Sequence, residues 1–310
     1  MRLQTAIITP MIAILYLHSG YARASDVTLP NDDSASFGRA TSTDLSPSLP
    51  EEQEYTDDQT HEAMGTYFGG IGAPAGGCGL PQSVVESSNF VALNVQSAQP
   101  PITGEFNQGR NCGRWIEVTL SKFCKNADHS DRWNTDFCNG GQWEEGPLTG
   151  SKALFIVADS CNDGNYWCRN DRYHLDLSAS GLVQFGSGVN VSTWRNPQLT
   201  WRYVDAPNYS GDVQIGFAQN ASSGWPTILI KHLQRGIHKI EQWVGGRWVA
   251  QPMFLTLGQV YTLTNVGSEP YRIRLFDARD EPVQNGRVYQ FNIPTNCCGR
   301  AFNEVAYTTQ

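Results

Sequence analysis

Beyond residue 24 the sequence contains no run of about 18 apolar residues, so nothing in the rest of the chain reads as a membrane span. It has no cluster of lysine and arginine either. The 22 basic residues stand against 30 acidic ones, a net charge of −8, which excludes a basic nucleic-acid surface. Eight cysteines are present, but no C-x2-C pair stands opposite a second one, which argues against a zinc site. From about residue 196 onward no amphipathic run of 3.6-residue period appears, which argues against a helical second half.

The amino-terminal stretch MRLQTAIITPMIAILYLHSGYARA has Arg2, an apolar run from Ala6 to Leu17, and Ala22-Arg23-Ala24 ahead of Ser25. This pattern predicts a secretory signal peptide over 1–24 and an exported, extracellular mature chain. Export makes the cysteines legible. Six fall between Cys78 and Cys168, and in an oxidising compartment an even set predicts disulfides. Cys297 and Cys298 are adjacent; neighbours rarely meet disulfide geometry, so each is expected to reach a distant partner or stay unpaired.

Charge divides the chain. Residues 25–62 hold ten acids and one base (−9), 63–192 twelve and eight (−4), and 193–310 eight and eleven (+3). The leader 25–62 is rich in Ser, Thr, Pro and acid with few large apolar residues, the composition of a disordered segment. The +3 of the last part allows some attraction to acidic polymers.

About 250 residues remain for folded structure, and their patterning favours two domains. Residues 63–192 hold the clustered cysteines, many glycines and short apolar runs such as SKALFIVAD. From about 196, strand follows strand: QLTWRYVDA, DVQIGFAQ, TILIKHL, HKIEQWV, QVYTLTNV, YRIRLFDA and RVYQFNI, separated by turn signals such as NYSGD, VGG and VGSEP. The expected fold class is mainly β, with an antiparallel β-sandwich over 196–292 and a carboxy-terminal tail over 293–310 carrying Cys297 and Cys298.

Several short motifs then line up in order: MGTYFGG, GGCGLP, NCGRWIEVTL, FIVADSC, YHLDLS and LTWRYVDAP, followed by SSGWPTILIKHLQRGIHKIEQWVGGRWV. The series resembles the expansin family and its microbial two-domain members, over residues 63 to about 292. The resemblance implies a six-stranded double-psi β-barrel, related to family 45 glycoside hydrolases, over 63–192, followed by a carbohydrate-binding sandwich. It implies no cofactor and no metal, a monomer, and a partner among cellulose, xyloglucan or other cell-wall polysaccharides, peptidoglycan included.

On this resemblance Asp176 of YHLDLS matches the general acid of the related hydrolases, a role that calls for a raised pKa through burial. By strand alternation His174, Asp176 and Ser178 share a face opposite Tyr173, Leu175 and Leu177, so the burial would have to come from other strands. On the sequence alone, that second face could simply be wet. The hydrolases' general base falls in Thr66-Tyr67-Phe68-Gly69-Gly70, which contains no acid. Thr66 matches a groove-lining threonine, and Asp159 an aspartate that helps hold Asp176. Tyr67 either stacks on a sugar or fills the core. Cys161 and Cys168 suggest a small disulfide-closed loop beside the groove, in which Trp167 is either a cap or a sugar platform. In the second domain Trp225 follows a turn and is the leading sugar platform, with Phe254 as a further ring. Trp201 and Trp248 are read as core, and Trp243 as either core or platform. Three N-x-S sequons, at Asn190, Asn208 and Asn220, would carry glycans only in a eukaryotic host.

The leading expectation is a secreted expansin-like protein that binds wall glucan and loosens noncovalent contacts without hydrolysis. One alternative is an endoglucanase or lytic transglycosylase using Asp176, with a base such as Asp171 or Asp163. The other is a pair of domains that only bind carbohydrate.

Overall fold

The structure is a computed structural model that describes residues 59–72, 75–95, 104–126, 138–161, 167–254 and 258–310. The signal peptide, nearly all of the leader, and Asp163 lie outside the described residues. Residues 53–310 form one compact unit.

Six strands close a barrel: β1 (His61–Phe68), β2 (Phe90–Asn94), β3 (Trp115–Leu120), β6 (Lys152–Cys161), β7 (Leu175–Ser178) and β8 (Gln198–Val204). A small hairpin, β4 (Phe123–Lys125) and β5 (Gln142–Glu144), lies between β3 and β6 in sequence. Around the barrel the order is β1-β7-β2-β6-β3-β8, with β1 parallel to β7 and β2 parallel to β6. Alternation explains the core: Val91, Leu93, Ile116, Val118, Phe155, Val157, Leu175, Leu177 and Trp201 point inward and are almost fully buried. The α-helical stretch among the described residues is one turn, α1 (Trp167–Asn170).

The sandwich pairs two sheets. One runs β13 (Val260–Thr262), β10 (Thr227–Lys231), β9 (Gln214–Ala218), β16 (Phe302–Glu304); the other runs β12 (Arg247–Ala250), β11 (Lys239–Val244), β14 (Tyr271–Phe276), β15 (Tyr289–Phe291), β17 (Thr308–Thr309). All the strand pairs inside the two sheets are antiparallel. Ile215, Phe217, Ile228, Ile240, Ile273, Leu275 and Tyr289 fill the space between them.

Four expectations are corrected here. LTWRYV was assigned to the sandwich, yet as β8 it pairs with both β1 and β3 and completes the barrel. Its alternation is that of any half-buried strand, and the turn signal that separates the domains, NYSGD, comes after it. Strand β1 likewise begins two residues inside the segment read as leader. The tail 293–310 is part of the sandwich, adding β16 to one sheet and β17 to the other. Cys297 and Cys298 are bonded to each other across a cis peptide, with Cα atoms 3.2 Å apart. The other disulfides are Cys78–Cys112, Cys124–Cys138 and, as expected, Cys161–Cys168.

Barrel and sandwich meet through a small apolar cluster, Leu80 against Leu229 and Val260, with Val84, Val85 and Phe254 packed on it. The backbones approach closely at Gly258, whose N–H donates to the Gly77 carbonyl at 2.9 Å and where a Cβ would lie 2.2 Å from the Gly109 carbonyl oxygen.

Candidate functional site

Strand β7 is buried at all four positions, LDLS. The wet-face reading of Asp176 therefore does not hold: Asp176 is 8% exposed and His174 0%. Leu175 and Leu177 enter the barrel core, while Asp176 faces outward into a row set by strand register. In that row Thr66 pairs with Asp176, Asp176 with Ala92, and Ala92 with Asp159, so the residues line up across β1, β7, β2 and β6. Residues paired across neighbouring strands share a face.

The hydrogen bonds within the row have a definite polarity. The Thr66 hydroxyl donates to Asp176 Oδ1 at 2.8 Å. Having given its one proton away, Thr66 accepts from His174 Nε2, also at 2.8 Å, so His174 is the Nε2–H tautomer. Burial lowers the His174 pKa to about 3, so the imidazole is neutral at physiological pH. Its other nitrogen, Nδ1, lies 4.0 Å from Asp171 Oδ2. Asp171 accepts the backbone N–H of Met64 at 3.2 Å and of Tyr173 at 3.0 Å. Burial pushes its carboxyl pKa up, against the pull of those N–H donors. Three polar side chains, His174, Thr66 and Asp176, are thus hydrogen-bonded in series.

Asp159 sits differently from the expectation. Its Oδ1 accepts the N–H of Gly77 at 2.6 Å and of Ser160 at 2.8 Å, and Ala92 separates it from Asp176 in the row. Thr66 bonds Asp176 directly. The GG of GGCG is needed there because a Cβ on Gly76 would meet the Asp159 carboxylate at 2.8 Å and one on Gly77 the Ser160 hydroxyl at 2.4 Å.

The Cys161–Cys168 disulfide packs with Ala92 and Phe68 beside the row, and Cys161 Sγ is 3.9 Å from Asp176 Oδ2. Together with His174 the two sulfurs lie within 4.8 Å of one another, but sulfurs joined in a disulfide offer no thiolate to a metal. Trp167 opens α1 and is half-buried. Tyr67 is 40% exposed, so it does not fill the core; alternation puts it on the opposite side of β1 from Thr66.

On the sandwich Trp225 is 50% exposed, held in a turn by its N–H donating to Ser222 O (3.0 Å). The Phe254 ring centroid is 6.3 Å from that of Trp225 at an interplanar angle of 79°. An edge-on pair presents one flat face, so Phe254 buttresses Trp225 more than it extends the platform. Phe254 also packs with Leu80 of the barrel, and Gly77 joins the neighbouring Gly258 to Asp159.

This arrangement has known counterparts. The structure is similar to the crystal structure of a Clavibacter michiganensis expansin, with 18% identity, a TM-score of 0.52, and coverage of 80% of this chain and 96% of that one. The fold is that of an expansin. A mutant of the same bacterial expansin, solved in complex with cellohexaose, matches equally, at 18% identity and a TM-score of 0.53 over the same shares. No protein-family model and no curated protein sequence matches the chain.

Trp201 is buried in the barrel of this expansin fold, its indole N–H donating to Tyr173 O at 2.9 Å. Trp248, expected in the core, is instead half-buried on the outward face of β12, next to Trp243 on β11. Both belong to the five-stranded sheet, whereas Trp225 precedes β10 of the four-stranded one. The residue that the sequence reading undervalued is His174. Alternation already put it on the face of Asp176; its bond to Thr66 needed the register of two strands more than a hundred residues apart.

Proposed function

We propose that the chain is a secreted, expansin-like protein that binds cellulose or a related neutral wall glucan along the Asp176 row and the Trp225 face. It loosens noncovalent contacts between polysaccharide chains without cutting them. The observation that carries the reading is the buried Thr66–Asp176 pair with no carboxylate in the adjoining Thr66–Gly70 segment. Glycoside hydrolysis with inversion needs an acid and a base about 6.5–9.5 Å apart. Asp176 supplies one. Its Oδ1 is engaged by Thr66, so a proton exchanged with a sugar oxygen would be carried at Oδ2. The cellohexaose bound by the Clavibacter expansin variant supports a β-glucan as ligand. Trp225 offers an exposed indole face to the C–H face of a sugar, Phe254 steadies it, and Trp167 provides a secondary aromatic contact at the barrel. The pattern of residues 1–24 supports export, and no helix among the described residues is long and apolar enough to cross a membrane.

A second reading rests on Asp159. It lies in the same row as Asp176, two strands away, a backbone separation of about 10 Å. An endoglucanase would use it as the base, although its Oδ1 is already committed to two backbone donors.

One paired assay separates the readings: weakening of cellulosic paper and release of reducing sugar, for wild type and Asp176→Asn. Weakening without sugar release, lost in the variant, is expected. Sugar release abolished by Asp176→Asn would replace this reading with a glycosidase.

A further inference from the structure

The groove holds a set of ligand types that carbohydrate binding does not use. Cys161 closes β6, Cys168 lies in α1, and His174 stands one residue before β7, so three elements converge on one point beside Asp176. The three side chains are buried, at 4%, 0% and 0% exposure. Their ligand atoms, the two Sγ and one imidazole nitrogen, lie within 4.8 Å of one another. Cys161 Sγ is also 3.9 Å from Asp176 Oδ2, whereas the Thr66 hydroxyl bonds Oδ1.

Two sulfurs, one imidazole and one carboxylate oxygen make a complete tetrahedral set. Around Zn²⁺, bonds of about 2.0–2.3 Å put neighbouring ligand atoms roughly 3.3–3.8 Å apart. The Cys161–Asp176 separation is close to that. Burial keeps the His174 ring neutral, the state in which an imidazole nitrogen has a lone pair for a metal. Its bond to Thr66 is the kind of outer contact that orients a ligating imidazole.

The Cys161–Cys168 bond withholds this set from a metal. A dithiol reductant opens it by exchange: the reductant gives up two electrons and closes into its own disulfide, and its two protons pass to Cys161 and Cys168. Zn²⁺ then displaces those two protons as it binds. Exchange with an oxidised dithiol reverses both steps and releases the metal.

We propose that Cys161, Cys168, His174 and Asp176 form a redox-gated zinc site, open to the metal only in the reduced chain. Thiolate ligands select zinc over the magnesium and calcium that carboxylates alone would take. While zinc is bound Asp176 is withdrawn from the groove, and closing the disulfide returns it. This last consequence rests on the glucan reading of Asp176, whereas the metal site stands on its own.

The test is a titration of the full chain, reduced with a phosphine, with Co²⁺, whose tetrahedral thiolate complexes absorb strongly in the visible. Reduced wild type is expected to develop these bands and to lose them to Zn²⁺, and the oxidised chain to show none. Loss of an outer partner of a metal ligand costs about 10- to 100-fold in affinity, so His174→Gln, which removes a ligand, should weaken cobalt binding at least as much. The Cys161→Ser and Cys168→Ser double variant should lose the bands, and the corresponding Cys124 and Cys138 or Cys297 and Cys298 double variants should keep them. Where circular dichroism shows that reduction unfolds the chain, Cys168→Ala leaves the Cys161 thiol beside His174 and Asp176 with the other three disulfides intact, and cobalt should bind there without any reductant. Absence of the bands from the folded reduced chain, or from Cys168→Ala where reduction unfolds it, would overturn the proposal. So would bands that survive loss of Cys161 and Cys168 or depend on Cys297 and Cys298. Paper weakening by the reduced chain should drop when zinc replaces a chelator, and an unchanged signal would refute the capture of Asp176. An oxidised wild type that never weakens paper would sink the glucan reading and leave the cobalt spectrum to decide the metal site.

Discussion

At the scale of single residues, Thr66 fixes which way protons point in the groove. Its hydroxyl links a neutral, fully buried imidazole to a buried carboxylate. Thr66→Val keeps the side-chain shape but leaves His174 and Asp176 without that partner, at a cost of about 1–3 kcal/mol in unfolding free energy. Denaturant unfolding should show this loss, the paper-weakening assay should lose its signal, and Thr66→Ser should restore both. His174 sets an acid limit. Its folded-state pKa of about 3 lies below the ordinary 6.5, so the unfolded chain binds the proton more tightly between these values. Stability contributed by the neutral ring is complete above pH 6.5 and falls as the pH drops toward 3, by up to about 1.4 kcal/mol per unit. Comparing unfolding at pH 6.5 and 4.5 in wild type and His174→Gln, the variant should show the shallower decline.

At the scale of elements, the disulfides separate stability from function. Cys78–Cys112 spans 34 residues of sequence and is buried in the barrel core; Cys161–Cys168 spans 7 and packs beside Asp176. Loop-closure entropy assigns about 3.8 kcal/mol to the first and about 2.5 kcal/mol to the second. Replacing the Cys78–Cys112 pair with alanine should therefore lower the unfolding midpoint more, while replacing the Cys161–Cys168 pair should cost more of the paper-weakening activity. Elements also mark what was legible beforehand. The alternation of YHLDLS gave the right faces, because side-chain direction in a strand follows from the pleat alone. Strand β8 was given to the wrong domain because alternation says which face a residue takes and nothing about which strand lies next to it. Strands β16 and β17, three and two residues long, carry no periodicity to read and exist through their backbone pairing with Gln214–Ala218 and Tyr289–Phe291. The Thr66–His174 bond was hidden for the same reason as β8. Its partners are chosen by register between distant strands.

At the scale of the whole molecule, one histidine ties barrel to sandwich. His232 Nδ1 lies 2.8 Å from Glu86 Oε1 of the barrel, and Nε2 2.7 Å from the Ser210 carbonyl, with Tyr209 stacked on the ring. Two acceptors facing both nitrogens suit the doubly protonated ring. Partial burial works against the cation, but the Ser210 carbonyl and the Glu86 carboxylate outweigh it, so the pKa is raised. The contribution is fully present below the ordinary value of about 6.5 and is lost as the pH rises through the raised one. Glu86→Gln should therefore lower the melting temperature more at pH 5.5 than at pH 8.5, by an amount equivalent to about 0.2–1 kcal/mol for so exposed a pair. A difference that grows with pH would refute the clamp.

The placement of β1 bears on how the protein comes to be active. Both its neighbours in the barrel, β7 and β8, lie more than a hundred residues further along the chain, and Thr66 meets Asp176 across 110 of them. Contacts of such separation form late and slowly, because the intervening loop must be ordered before the pairing can reward it. The Thr66–Asp176 bond and the closure of the barrel therefore depend on the same late pairing of β1. Until β1 pairs with β7 and β8, Asp176 lacks Thr66 and the ring of strands stays open.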